Sequence, residues 1–213
     1  YLHRIDLNVP VEESLGALID MKAQGKIRFI GLSEPSPETL NKALGMCSIA
    51  AVQSELSLWT RQPNVAVSEL CEQNDITFVS YSPLGRGFMG GIVRDMSTLG
   101  EKDIRQTMPR FQGNDFKKNL EKLDLLTLLA AEHDLSVAQI ALAWVIAQGD
   151  HVLAIPGTRF EDRAKENLDA ASAVVSEHVI LKAASILSPE SIIGDRWSEP
   201  ILREVDSEQF RFA

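Results

Sequence analysis

Apolar residues along this chain alternate between two patterns. Short, mostly apolar runs cover Ile27 to Leu32, Ala50 to Ser54, Ile76 to Ser80 and Val152 to Ile155. Runs that short, bounded by turn residues, predict buried strands. Between them, apolar residues recur at helical spacing. Val11, Leu15, Leu18 and Ile19 share one face of a helix opened by Pro10 and closed near Gly25. Ser36-Pro37-Glu38 opens a second helix carrying Leu40, Ala43 and Leu44, and a third covers roughly Asn64 to Gln73. Asp115 to His133 is leucine-rich and amphipathic. Ser136 and Gln139 form a capping box for a helix ending at Gly149, and a last helix spans about Ser176 to Leu187. Tyr1 to His3 reads as the end of one further strand. Strands alternating with helices imply a parallel sheet, here of five strands in sequence order. Their lack of strict alternation implies that both faces are covered.

One stretch adds chemistry to that pattern. His151 to Asp169 reads as strand, turn at Pro156-Gly157, then helix, with Thr158 and Glu161 as a capping box. A helix N-terminus presents free N–H groups and partial positive charge, which suits phosphate. Thr158 adds a hydroxyl, and Arg159 and Arg163 add guanidinium forks matched to a phosphate monoester. The plainer alternative is a capped helix with two solvated arginines.

Composition narrows the partners. The chain has 213 residues, 45% of them hydrophobic, and a formal charge of −9. That balance argues against nucleic acid or an anionic membrane as the main partner. Cys47 and Cys71 lack metal-ligand spacing and fit a reducing cytoplasm, so no metal site is expected. No apolar run approaches the about eighteen residues of a membrane span. Residues 1–188 form one expected unit, followed by a tail from Pro189 to Ala213. A glycine-rich segment, Tyr81 to Gly91, leads into a long polar loop reaching about Asn114; loops that long are usually functional or disordered.

In parallel α/β proteins chemistry collects at strand C-termini. Here those ends carry His3, Ser33-Glu34, Gln53, Tyr81-Ser82 and Pro156-Gly157-Thr158. A single His or Ser there is more often structural than catalytic. Gln53 within an apolar strand is harder to dismiss, because a buried amide needs partners and a ligand carboxamide is one. Tyr81 offers a flat face for a planar ring, or ordinary core packing.

Five runs then carry a family resemblance: Tyr1-Leu2-His3-Arg4-Ile5-Asp6; Gly25 to Glu34; Leu56-Ser57-Leu58-Trp59-Thr60-Arg61; Tyr81-Ser82-Pro83-Leu84-Gly85-Arg86-Gly87; and Ile155-Pro156-Gly157-Thr158-Arg159 with Arg163, Glu166 and Asn167. In that order they resemble the later part of an aldo-keto reductase of the branch similar to pyridoxal and perakine reductases. The resemblance implies a partial TIM (β/α)8 barrel, strands 4 to 8 with their helices and strands 1 to 3 absent. It implies NADPH-dependent reduction of an aldehyde or ketone to an alcohol. His3 is then the catalytic histidine that orients the substrate carbonyl. Ser33 and Gln53 clamp the nicotinamide carboxamide and Tyr81 stacks on its ring. Ser82, Leu84 and Arg86 lie over the pyrophosphate, Gly157, Thr158, Arg159 and Arg163 surround the 2′-phosphate, and Glu166 and Asn167 meet the adenine. Glu34 departs from the Asn common in the family. Gly157 departs from a common Lys, with Arg159 beside it as a replacement cation. The family's catalytic Asp, Tyr and Lys have no match in these residues, so this chain alone is expected to be inactive. The alternatives are a non-catalytic NADPH-binding or regulatory module of the same fold and an unrelated sugar-phosphate enzyme. The partner is a small-molecule carbonyl substrate whose identity is set by the loop from Phe88 to Asn114 and by Trp197 and Phe210 in the tail. Oligomeric state is not legible.

Overall fold

Local signals start several of the helices. In the computed structural model, which describes residues 1–61 and 64–209, helix α1 (Val11–Ala23) begins directly after Pro10. It ends in the hydrogen bonds Lys26 N–H to Met21 C=O and Gly25 N–H to Lys22 C=O, with Gly25 at φ +70°. That left-handed position is one glycine adopts without steric penalty. Helix α2 (Pro37–Leu44) is capped by Ser36, whose Oγ accepts the Thr39 N–H at 3.1 Å. The capping box at Ser136 and Gln139 is present and opens helix α5 (Val137–Ile146). The box expected at Thr158 and Glu161 does not form: helix α6 (Glu161–Asp169) has Phe160 at its N-cap without a side-chain cap. Thr158 Oγ1 instead accepts the Phe160 N–H at 3.2 Å, closing a tight turn before the helix starts.

Strands β1 (Gly31–Ser33), β2 (Ala51–Glu55), β3 (Thr77–Tyr81) and β4 (Val152–Ile155) form one parallel sheet in the order β1-β2-β3-β4. The remaining helices are α3 (Asn64–Gln73), α4 (Gly113–Glu132), α7 (Glu177–Ile186), α8 (Glu199–Leu202) and α9 (Asp206–Gln209). The long loop after β3 is folded into three 3-10 turns, Met96–Thr98, Ile104–Thr107 and Pro109–Phe111. Phe210 lies outside the described residues.

The expected partial barrel, strands 4 to 8 with strands 1 to 3 absent, is corrected here. The parallel strands run β1 to β4 from Gly31, so strands 1 to 3 are not absent from this α/β fold, and there are four strands among the described residues rather than five. The segment expected to open the sheet contributes one bridge, Leu2 to Leu32. Pairing stops there because Arg4 turns to φ +59°, which takes the backbone out of the extended region.

Register explains the core. Leu32, Val52, Phe78 and Val152 lie in one row across the four strands, and all are buried. Each such side chain contributes about 1.5–3 kcal/mol through removal from water. The covered-on-both-faces expectation holds for β1, every residue of which is buried. It fails at β4, where Leu153 is 57% and Ile155 45% exposed. Among the described residues β4 is the last strand in the sheet order, with no strand beyond it to continue the packing. A second cluster anchors the loops: Trp59 stacks on Phe88 with ring centroids 4.0 Å apart, and Phe111 meets Trp59 edge-on at 5.3 Å.

Candidate functional site

Parallel pairing brings the C-terminal ends of β3 and β4 together, with Tyr81 opposite Ile155. Past those ends the chain turns sharply twice. After Tyr81, residues Ser82, Gly85, Arg86 and Gly87 all take positive φ, between 48° and 86°. After Ile155 come Pro156 and Gly157, then the Thr158 turn. The two turns enclose a cavity of about 690 Å³ lined by Tyr81, Ser82, Leu84 and Arg86 on one side and Gly157, Thr158 and Arg159 on the other. Seven of the expected cofactor residues therefore share one space. The long loop supplies a further wall through Val93, Leu99, Asp103 and Arg105.

The wall is chemically mixed. Ser82 and Thr158 carry hydroxyls, Arg159 carries a guanidinium 5.2 Å from the Phe160 ring centroid, and Leu84, Val93 and Ile155 are apolar. A dinucleotide needs that combination: donors for phosphate and apolar surface for rings. The volume lies in the range of about 300–1,000 Å³ usual for such ligands. At Gly157 an added Cβ would meet nothing within 4 Å, so that side of the cavity is open.

Other expected residues fall elsewhere. Ser33 and Gln53 are side by side in register on β1 and β2, as a carboxamide clamp requires, but outside the cavity. Arg163 lies in α6 and pairs with Glu166 at 2.8 Å, both lining a smaller cleft against α4 and α5. Asn167 faces an apolar groove beside β4 that also reaches Thr158. His3 is exposed and lines a separate cavity of about 520 Å³ with Arg4, Asp6, Asn8 and Arg203.

Between these cavities lies a buried charge cluster that sequence reasoning did not assemble. Arg86 pairs with Glu55 through both guanidinium nitrogens, at 2.8 and 2.7 Å. Arg196, in the tail, contacts Glu34 at 2.6 Å and Glu55 at 3.3 Å, and also pairs with Glu208. Glu34 accepts the Ser207 hydroxyl at 2.6 Å and the Glu55 N–H at 2.9 Å. Burial pushes the Glu34 carboxyl up, but the Arg196 charge and these hydrogen bonds outweigh it and hold the group at about 2. Tyr81 is driven the other way, above its ordinary range, by burial and by the Glu34 and Glu55 charges. The Trp197 ring lies under two guanidiniums, Arg86 at 4.3 Å and Arg4 at 5.4 Å. One signal could have found the cluster. Glu34 and Glu55 end adjacent strands, and two neighbouring carboxylates on a buried sheet require a cation.

The family model for the aldo/keto reductase family matches residues 1–187. The chain belongs to that family. It is 36% identical over 200 residues to "Aldo-keto reductase yakc [NADP(+)]" of Schizosaccharomyces pombe, covering 92% of this chain and 59% of that protein. It is 38% identical over 199 residues to "Probable aldo-keto reductase 1" of Glycine max, covering 92% of this chain and 57% of that one. The solved structure of a glycerol dehydrogenase from Gluconobacter oxydans superposes with a TM-score of 0.77 at 28% identity, covering 88% of this chain and 58% of that one. The chain thus spans somewhat under three fifths of the length of these relatives. The cofactor expected from the sequence is the one printed in the fission yeast relative's name. Among the described residues no single helix is long and apolar enough to cross a membrane.

Proposed function

We propose that this aldo/keto reductase chain supplies the NADP(H)-binding face for reduction of a small aldehyde or ketone to its alcohol. The observation that carries this reading is the cavity joining Tyr81, Ser82, Leu84 and Arg86 to Gly157, Thr158 and Arg159 across two strand ends. When bound, NADPH supplies the hydride that reduces the carbonyl. Thr158 and Arg159 hold the 2′-phosphate, with Arg163 following in the first turn of α6. Tyr81 and Ile155 form the apolar floor, and the Ser82–Gly87 turn holds the pyrophosphate. Ser33 and Gln53 orient the carboxamide from the neighbouring strands. His3 orients the carbonyl oxygen. Within the family, the runs from Gly25 to Glu34 and from Leu56 to Arg61 support the branch similar to pyridoxal and perakine reductases.

A second reading rests on one observation: His3 lines a different cavity from the proposed cofactor residues. That separation favours a module that holds NADP(H) without turning over a carbonyl. Calorimetric titration with NADPH and NADH, followed by a carbonyl reduction assay, separates the readings. Micromolar NADPH binding with turnover removes the module reading, absence of NADPH binding removes both, and equal affinity for NADH removes the 2′-phosphate assignment.

A further inference from the structure

The turn at Ser82–Gly87 is the most strained part of the cavity wall. Ser82 and Arg86 have side chains yet sit at φ +48° and +55°, a conformation that a residue with a Cβ rarely adopts. Such backbone persists only when its surroundings hold it. Three contacts hold Arg86 in place. Its guanidinium grips Glu55 by both nitrogens, its carbonyl accepts from Arg105 Nη1 at 3.0 Å, and its guanidinium packs on the Trp197 ring at 4.3 Å.

One of these three contacts is made by the tail, and a second shares its carboxylate with it. Trp197 belongs to the tail, and Glu55 also meets the tail's Arg196. Arg196 in turn spans Glu55 and Glu34, while Asp206 accepts the Ser36 N–H at 2.6 Å and the Ser207 N–H reaches the Glu34 carbonyl at 3.2 Å. A fork-shaped cation lets one residue serve two carboxylates on adjacent strands. With Arg196 gone, Glu34 and Glu55 lose the guanidinium that they share, and the tail that carries Trp197 loses its tie to both strands.

We propose that Arg196 is a positioning residue: the tail latches over β1 and β2 through it, and the latch holds the Ser82–Gly87 turn in the shape that lines the cavity. The cavity's ligand, NADP(H), rests on the functional reading above; the latch does not.

Amide hydrogen exchange across Ser82–Gly87 tests the latch without any ligand, and calorimetric NADPH titration tests its consequence. Arg196→Lys keeps the charge but loses the fork. Exchange in the turn is expected to rise at least tenfold and NADPH affinity to fall at least fivefold. Arg203→Ala, which breaks an exposed tail pair with Glu199, should change neither. Should Arg196→Lys fail to fold, the double variant Glu34→Gln/Arg196→Met removes the buried charge imbalance and should show the same loosening. Unchanged exchange at Ser82–Gly87 in a folded Arg196 variant, with faster exchange confined to residues 196–209, overturns the latch. No NADPH binding by the unaltered chain overturns the functional reading instead, and the exchange data still decide the latch.

Discussion

Glu34 and Arg196 lie 162 positions apart in the chain and meet at 2.6 Å with almost no exposure to water. The pair ties the end of the first strand to the tail, so acid should loosen both together. Glu34 is held at about 2, below the value near 4.5 that it has when unfolded. A depressed carboxyl contributes stability that is fully present above the unfolded pKa and is lost as pH falls through the folded one. Melting temperature should therefore drop as pH is lowered from about 5 towards about 2. In Glu34→Gln the acid limb of that profile should be shallower. A limb equally steep in both proteins would place the acid sensitivity elsewhere.

Arg159 is the cavity guanidinium on the β4 side, whereas Arg163 is paired with Glu166. A charge-assisted bond to phosphate is worth about 1.5–3 kcal/mol, roughly ten- to a hundredfold in affinity. Arg159→Ala should weaken NADPH by that factor and leave NADH nearly unchanged. Arg163→Ala should weaken NADPH less, because Glu166 already engages that side chain. Titration of both nucleotides against both variants reads the difference directly.

His3 shares no cavity with the proposed nucleotide residues. His3→Ala should leave NADPH affinity within about twofold of the parent, since surface substitutions usually change little beyond about 0.5 kcal/mol. Where carbonyl reduction is measurable, the same substitution should lower turnover. Loss of NADPH affinity in this variant would argue that the two cavities act as one.

Gly85 offers a stability test of the same wall. It sits at φ +56°, and a Cβ there would meet Trp59 Nε1 at 2.6 Å. The left-handed backbone costs alanine about 1–2 kcal/mol, and crowding a packed ring about 1–3 kcal/mol more. Gly85→Ala should lower the denaturant midpoint accordingly, whereas Gly16→Ala, with open space around it, should not lower it.

Much of this architecture was legible because it is local. Val152–Ile155 is a strand where its apolar run lies, and Ser36 and Ser136 cap the helices that their spacing announces. The hydroxyl reaches its own chain a few residues on, so no distant contact is required. Thr158 carried the same local signal and did something else: its hydroxyl closed a turn with Phe160, a competing local bond that spacing cannot rank. The strand ends likewise marked Tyr81, Ser82, Gly157 and Thr158, and parallel pairing of β3 with β4 placed them in one cavity. Tertiary structure alone decided the rest. It set Leu2 as a bridge rather than a strand, left β4 with an exposed face, and moved His3 away from the nucleotide residues. It also closed the cluster of Glu34, Glu55, Arg86 and Arg196. The two carboxylates at adjacent strand ends call for a cation, but burial and ion pairing depend on which segments meet, and nothing in the spacing of Glu34 records which guanidinium, 162 residues further on, supplies it.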